Sequence, residues 1–232
     1  MFFFDPTYIL VILGVAICGL ASASMNSTFA KYAQVRNYSN MTGREVAERI
    51  LRLSGIYDVQ IEHVSGNLTD HYDPSSKILR LSDSTYSSTS IAAMGVAAHE
   101  CGHVMQHAYG YKPLELRTML VPVANIGANI SWPLVFIGLM LRSESAMIFI
   151  NAGILCFSMA VLFQLVTLPV EFNASNRALK MLDQYGMVNS NEIGDARSVL
   201  RAAALTYVAG ALSSILQLLR LILIAQSRNR RR

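Results

Sequence analysis

Four long apolar stretches alternate with polar ones along the chain, at residues 8–24, 119–141, 146–168 and 202–225. A helix needs about 18 mostly apolar residues to cross a bilayer, and each stretch comes close to or exceeds that length. The first follows MFFFDPT, which holds no Lys or Arg, whereas a secretory leader opens on positive charge. It therefore predicts a retained helix. The second is the least regular, with Pro122, Pro133, Asn125 and Asn129. Such groups are tolerated in a spanning helix when its neighbours satisfy them. The third is the cleanest, and the short link Arg142-Ser143-Glu144-Ser145 makes the second and third a hairpin. The fourth carries Gln217 and Arg220. It reads either as a spanning helix with Arg220 reaching toward its end or as an amphipathic helix lying at the interface.

Between these lie two water-facing stretches, residues 25–118 and 169–201. They flank a two-helix hairpin, so both are expected on one side of the membrane. The longer one has its own pattern. Thr42-Gly43-Arg44-Glu45 is a capping box ahead of a helix with Val46, Ile50 and Leu53 on one face, closed by Gly55. Val59, Ile61 and His63 alternate with Asp58, Gln60 and Glu62, which predicts a strand. After the turn Asp73-Pro74-Ser75-Ser76, residues 77–82 alternate again as a second strand. The serines of residues 87–90 then supply an N-cap for a helix over residues 91–109, ended by Gly110.

The expected organisation is an N-terminal transmembrane helix (1–24), an α+β region (25–118), a transmembrane hairpin (119–168), a helical region (169–201) and a hydrophobic C-terminal helix with a basic tail (202–232). The fold class is a mainly α integral membrane protein: about four hydrophobic helices plus a small α+β unit.

Composition agrees. The chain is 53% hydrophobic and 15% charged, with a mean hydropathy of +0.37. Soluble domains carry about 25% charged residues, and disordered chains are polar and highly charged. The net charge of +4 is too small to argue for nucleic acid as a partner. Three cysteines, two of them (Cys18 and Cys156) in apolar runs, build no disulfide framework.

The candidate chemistry lies in the helix over residues 91–109, which contains His99-Glu100-Cys101-Gly102-His103. Positions i and i+4 share one helix face, so the two imidazoles can converge on one ion. Glu100 stands about 100° round the helix, beside a metal without ligating it, where a carboxylate can take a proton from water. The rival reading is a pair of core histidines on an Ala-rich buried helix. It leaves unexplained why three of the chain's five histidines, His99, His103 and His107, crowd into this helix.

A catalytic zinc usually keeps three protein ligands. His107 continues the i+4 series, but His99 and His107 lie about 12 Å apart along a straight helix, too far to close on one ion. That leaves His107 as a groove residue or the polar end of the helix. In one class of zinc site the third ligand is a carboxylate from a later helix, and the candidates on the same side are Glu115, Glu171, Glu192, Asp183 and Asp195. Glu171 is favoured because it comes just after the third apolar helix, with Ser175 at i+4 as a hydroxyl that could orient a ligand.

Asp70-His71-Tyr72-Asp73-Pro74, Leu79-Arg80-Leu81-Ser82, the run from Ser90 through His103, and Glu171-Phe172-Asn173-Ala174-Ser175 resemble the YugP-type membrane zinc metallopeptidases over nearly the whole chain. A more distant likeness links the chain to HtpX-type membrane proteases, whose third ligand lies in an E-x-x-A-D motif; Ser175 stands here in place of that Asp. The resemblance implies a zincin-like unit around the H-E-x-x-H helix. It also implies one catalytic Zn²⁺ held by His99, His103 and Glu171, and a zinc-dependent endopeptidase with Glu100 as general base.

The expected partners are the lipid bilayer and a protein or peptide substrate. His71, Tyr72 and Arg177 are candidate donors to a developing oxyanion, and the strand over residues 77–82 is a candidate edge for an extended peptide. The alternative is a non-proteolytic membrane scaffold or binding protein with a structural or vestigial zinc site. Lys31, Arg36, Lys112, Arg117, Arg177, Lys180, Arg197 and Arg201 flank the zinc-side stretches; Arg142 and the tail arginines Arg228, Arg230, Arg231 and Arg232 flank the other side. The larger group leans toward a cell-membrane protein whose active site faces the cytoplasm.

Overall fold

A computed structural model of the 232-residue chain describes residues 6–141 and 145–229. The link residues Arg142, Ser143 and Glu144 and the tail residues Arg230, Arg231 and Arg232 lie outside the described residues. The elements run α1 (Tyr8–Ala33), α2 (Gly43–Leu53), β1 (Gln60–Val64), β2 (His71–Asp73), β3 (Ile78–Ser82), α3 (Ile91–Ala108), α4 (Lys112–Met140), α5 (Ala146–Gln184) and α6 (Glu192–Asn229). The chain divides into two compact units.

The first unit comprises Ser22–Leu114 and Val170–Leu205. Its α2 begins as the capping box requires: the Thr42 hydroxyl accepts from the Glu45 amide at 3.2 Å, and the Glu45 carboxylate accepts from the Thr42 amide at 2.7 Å. The buried face is Val46, Ala47, Ile50 and Leu51. Leu53, expected on that face, is instead 51% exposed, because the buried face extends round toward Ala47 and Leu51, and Leu53 stands about 160° round the helix from Leu51, at its margin.

The sheet holds three strands in the order β1-β3-β2, one more than the periodicity predicts. β3 pairs parallel with β1 and antiparallel with β2. The extra strand arises from the turn, in which the Asp73 carboxylate accepts from the Ser75 amide at 2.9 Å and the Ser76 hydroxyl at 2.6 Å. That turn folds residues 71–73 back onto 78–80. β3 is therefore central, which removes it as an edge for an extended peptide; the outer strands are β1 and β2.

Helix α3 opens on Ser90, whose hydroxyl accepts from the Ala93 amide at 3.1 Å, and is followed by Gly110 at φ +59°. Its core partners are α2, β3, the end of α5 and the start of α6. Ile50, Leu79, Leu81, Ile91, Met94, Leu182 and Met187 are fully buried there. Each such side chain contributes about 1.5–3 kcal/mol through removal from water. The polar stretch of α1 also belongs here: Phe29 and Tyr32 pack with Ala92 and Val199, so the helix continues past Ser24, where its apolar run ends.

The second unit takes the chain up to Ala21, Glu115–Pro169 and the chain from Thr206 onward. A Cβ on Gly153 would lie 2.8 Å from the Ser131 backbone oxygen, so α4 and α5 approach closely, as small residues allow between apolar helices. Helix α6 packs Leu218 and Leu221 against Val135, Phe157 and Val161. The Arg220 guanidinium stacks on Tyr8 at 4.2 Å, and Arg228 donates to the carbonyls of Leu139 (2.9 Å) and Leu141 at the end of α4. The N-terminal end of α1, the C-terminal end of α4 and the C-terminal end of α6 thus share one end of this unit. Among the described residues, α1, α4, α5 and α6 are long and apolar enough to cross a membrane.

Candidate metal centre

The site is built from two helices of the first unit. Helix α3 presents His99 and His103 one turn apart, their rings edge to face with centroids 4.8 Å apart. Helix α5 does not stop at Pro169. It continues to Gln184 and buries Val170, Ala174, Ala178 and Leu182, an i+4 stripe, in the first unit. Glu171 follows Val170 and is 2% exposed.

Glu171 Oε2 lies 3.2 Å from His99 Nε2 and 3.5 Å from His103 Nε2. Ligand atoms held about 2.0–2.1 Å from a tetrahedral zinc stand about 3.3 Å from one another, so the separations match a shared ion. Among the described residues, His99, His103 and Glu171 form the one group of three or more His, Cys, Asp or Glu side chains placed to hold a metal ion. The donor set, two imidazoles and a carboxylate, suits zinc.

The other ring nitrogens are also engaged. His99 Nδ1 lies 3.1 Å from the Ser175 hydroxyl, and His103 Nδ1 lies 2.9 Å from Gln106 Oε1. Each ring therefore turns Nε2 toward Glu171. Burial of His103 alone would lower its pKa, but the hydrogen bond to Glu171 and the charges of Glu100 and Glu171 outweigh it and raise it. Glu100 is buried, and that burial pushes its carboxyl above the ordinary range; His103 and His99 pull it back.

Other candidates have hydrogen-bond partners of their own. Glu192 accepts from the Asn189 amide at the start of its own helix at 3.0 Å and from the Tyr38 amide, in the link between α1 and α2, at 2.6 Å. His107 Nδ1 meets the Tyr72 hydroxyl at 2.9 Å, joining the end of α3 to β2. Burial, aided by Asp58 and Asp73, pushes Tyr72 up to about 12, so its hydroxyl stays protonated at neutral pH. His71 Nδ1 meets the Thr69 carbonyl at 2.9 Å. Arg177 Nε donates to Asn173 Oδ1 at 2.8 Å, and its guanidinium lies over Tyr111. Gln106 is the site residue that sequence reasoning missed. Its one signal was a polar residue three positions past His103 on a face otherwise buried.

The family model described as "Putative neutral zinc metallopeptidase" matches residues 7–226, and the chain belongs to that family. It is similar to the "Putative membrane protease YugP" of Bacillus subtilis (strain 168), with 46% identity over 217 residues, 92% of this chain and 95% of that protein. No solved structure matches the chain. The family description implies zinc, and the relative's name together with four apolar helices points to a membrane protein.

Proposed function

We propose that the chain is a membrane-bound zinc metalloendopeptidase in which His99, His103 and Glu171 hold one catalytic Zn²⁺ in a zincin-like arrangement. The observation that carries this is the convergence of both Nε2 atoms on one Glu171 oxygen at 3.2 and 3.5 Å. A bound zinc ion would supply a Lewis acid, which acidifies water and polarises a peptide carbonyl.

The chain's own residues do the rest. Ser175 and Gln106 hold the two imidazoles in register. Glu100, next to the ligands and raised in pKa by burial, takes a proton from the attacking water and passes it to the leaving amine. The substrates are membrane or membrane-proximal proteins and peptides. Helix α6 crosses the bilayer: its leucines pack with α4 and α5, and Arg228 caps α4 within the same unit. The active site faces the cytoplasm, the side favoured by the larger group of flanking Lys and Arg.

The test is cleavage of an unfolded membrane protein by the purified full-length chain. The expected result is activity that a chelator abolishes and added zinc restores. Cleavage indifferent to the chelator would overturn the zinc mechanism, and zinc binding without cleavage of any protein would favour the scaffold reading.

A further inference from the structure

We infer that Gln106 is a positioning residue for the metal site: its carboxamide sets which nitrogen of His103 faces the ion and ties that histidine to the turn of α5 carrying Glu171. This deepens the zinc reading and rests on it.

The argument is one of donors and acceptors. Gln106 is fully buried, and its side chain meets three partners. Nε2 donates to the Val170 carbonyl at 2.7 Å and to Asn173 Oδ1 at 3.1 Å, while Oε1 faces His103 Nδ1 at 2.9 Å. The orientation of a carboxamide is normally ambiguous, because its oxygen and nitrogen look alike. Here two neighbours remove the ambiguity. A backbone carbonyl can only accept, so Val170 must face the amide NH₂. Arg177 Nε can only donate, so Asn173 must turn its oxygen inward, where it also accepts from Gln106.

With NH₂ fixed toward α5, Oε1 is fixed toward His103. His103 Nδ1 must then carry the hydrogen, and Nε2 is left to face Glu171. A flipped amide would set two oxygens against each other at Val170. The partner of His99 behaves differently. The Ser175 hydroxyl can donate or accept, so it orients that ring without dictating its tautomer.

Gln106 thus holds one ligand directly and the backbone next to another. Outer partners of this kind typically change metal affinity by about 10–100-fold when removed.

The experiment measures zinc affinity of the full-length protein in lipid nanodiscs by competition with a chelator, for wild type, Gln106→Leu, Gln106→Glu and Ser175→Ala. Circular dichroism reports folding of each. Gln106→Leu should lose about 10–100-fold in affinity. Gln106→Glu keeps an oxygen for His103 Nδ1–H and should recover at least part of that loss, although it cannot donate to Val170. Ser175→Ala should lose less than Gln106→Leu.

A folded Gln106→Leu with wild-type affinity overturns the inference. So does a Gln106→Glu as weak as Gln106→Leu, which would reduce the residue to a structural bridge to α5. Should Gln106→Leu fail to fold, Gln106→Glu decides alone: zinc affinity lowered by more than about 10-fold overturns the inference, and affinity within about 10-fold of wild type supports it. A wild type that binds no zinc overturns the metal reading itself, and the inference with it.

Discussion

Gly102 meets the backbone of Ala174 so closely that a Cβ at position 102 would stand 2.5 Å from the Ala174 oxygen. The glycine lies between His99 and His103, and Ala174 lies one turn beyond Glu171. The contact that lets α3 and α5 touch is therefore the one that brings Glu171 to His99 and His103. Gly102→Ala should force the helices apart, at a cost of about 1–3 kcal/mol for overpacking. Zinc content should fall together with the thermal midpoint. Wild-type zinc content and stability in Gly102→Ala would show that the helices need not touch there.

Glu171→Gln keeps the size of the side chain and removes the negative charge. If Glu171 is a ligand, zinc affinity should drop by more than the roughly 10–100-fold expected for an outer partner. Chelator competition measures this. Affinity unchanged from wild type would strike Glu171 from the ligand set.

A core substitution should behave differently. Ile50 is fully buried on α2 and packs in the cluster that supports α3. Ile50→Ala should cost about 2–5 kcal/mol of stability while the protein that remains folded keeps its zinc. Thermal unfolding and metal content, measured on the same sample, separate the two effects. A stability equal to wild type would contradict the packing described for α2.

Membrane topology is open to chemical labelling. Cys101 is fully buried and its thiol is pushed up by burial, so it should not react with an impermeant maleimide in the native protein. In a background with Cys18 and Cys156 replaced by Ser, new cysteines at Thr7 and Asn229 should label from one side, and one at the exposed Tyr57 from the other. Labelling of Thr7→Cys and Asn229→Cys from opposite sides would contradict a spanning α6.

Much of this was legible where the signal is local. The Thr42 capping box, the Ser90 cap and Gly110 are short-range chemistry, and α2 and α3 begin and end where they say. The pairing of His99 with His103 needs only the helical repeat. Three features needed the fold. β2 is three polar residues long and is held by pairing with β3, so it has no periodicity to read. Helix α5 passes Pro169, because the i+4 stripe beyond it finds a core to fill and repays the lost hydrogen bond. Gln106 is an ordinary polar residue in sequence; the carbonyl that gives it meaning, that of Val170, is 64 residues away.

The most direct test is zinc content and cleavage of an unfolded membrane protein, measured together for wild type and Glu100→Gln. The Glu100 carboxylate is assigned to proton transfer, while His99, His103 and Glu171 are assigned to the ion. Glu100→Gln should therefore retain one zinc per chain and lose cleavage by about 100-fold or more, the order expected for removing a general base. A Glu100→Gln protein that still cleaves at the wild-type rate would contradict the mechanism.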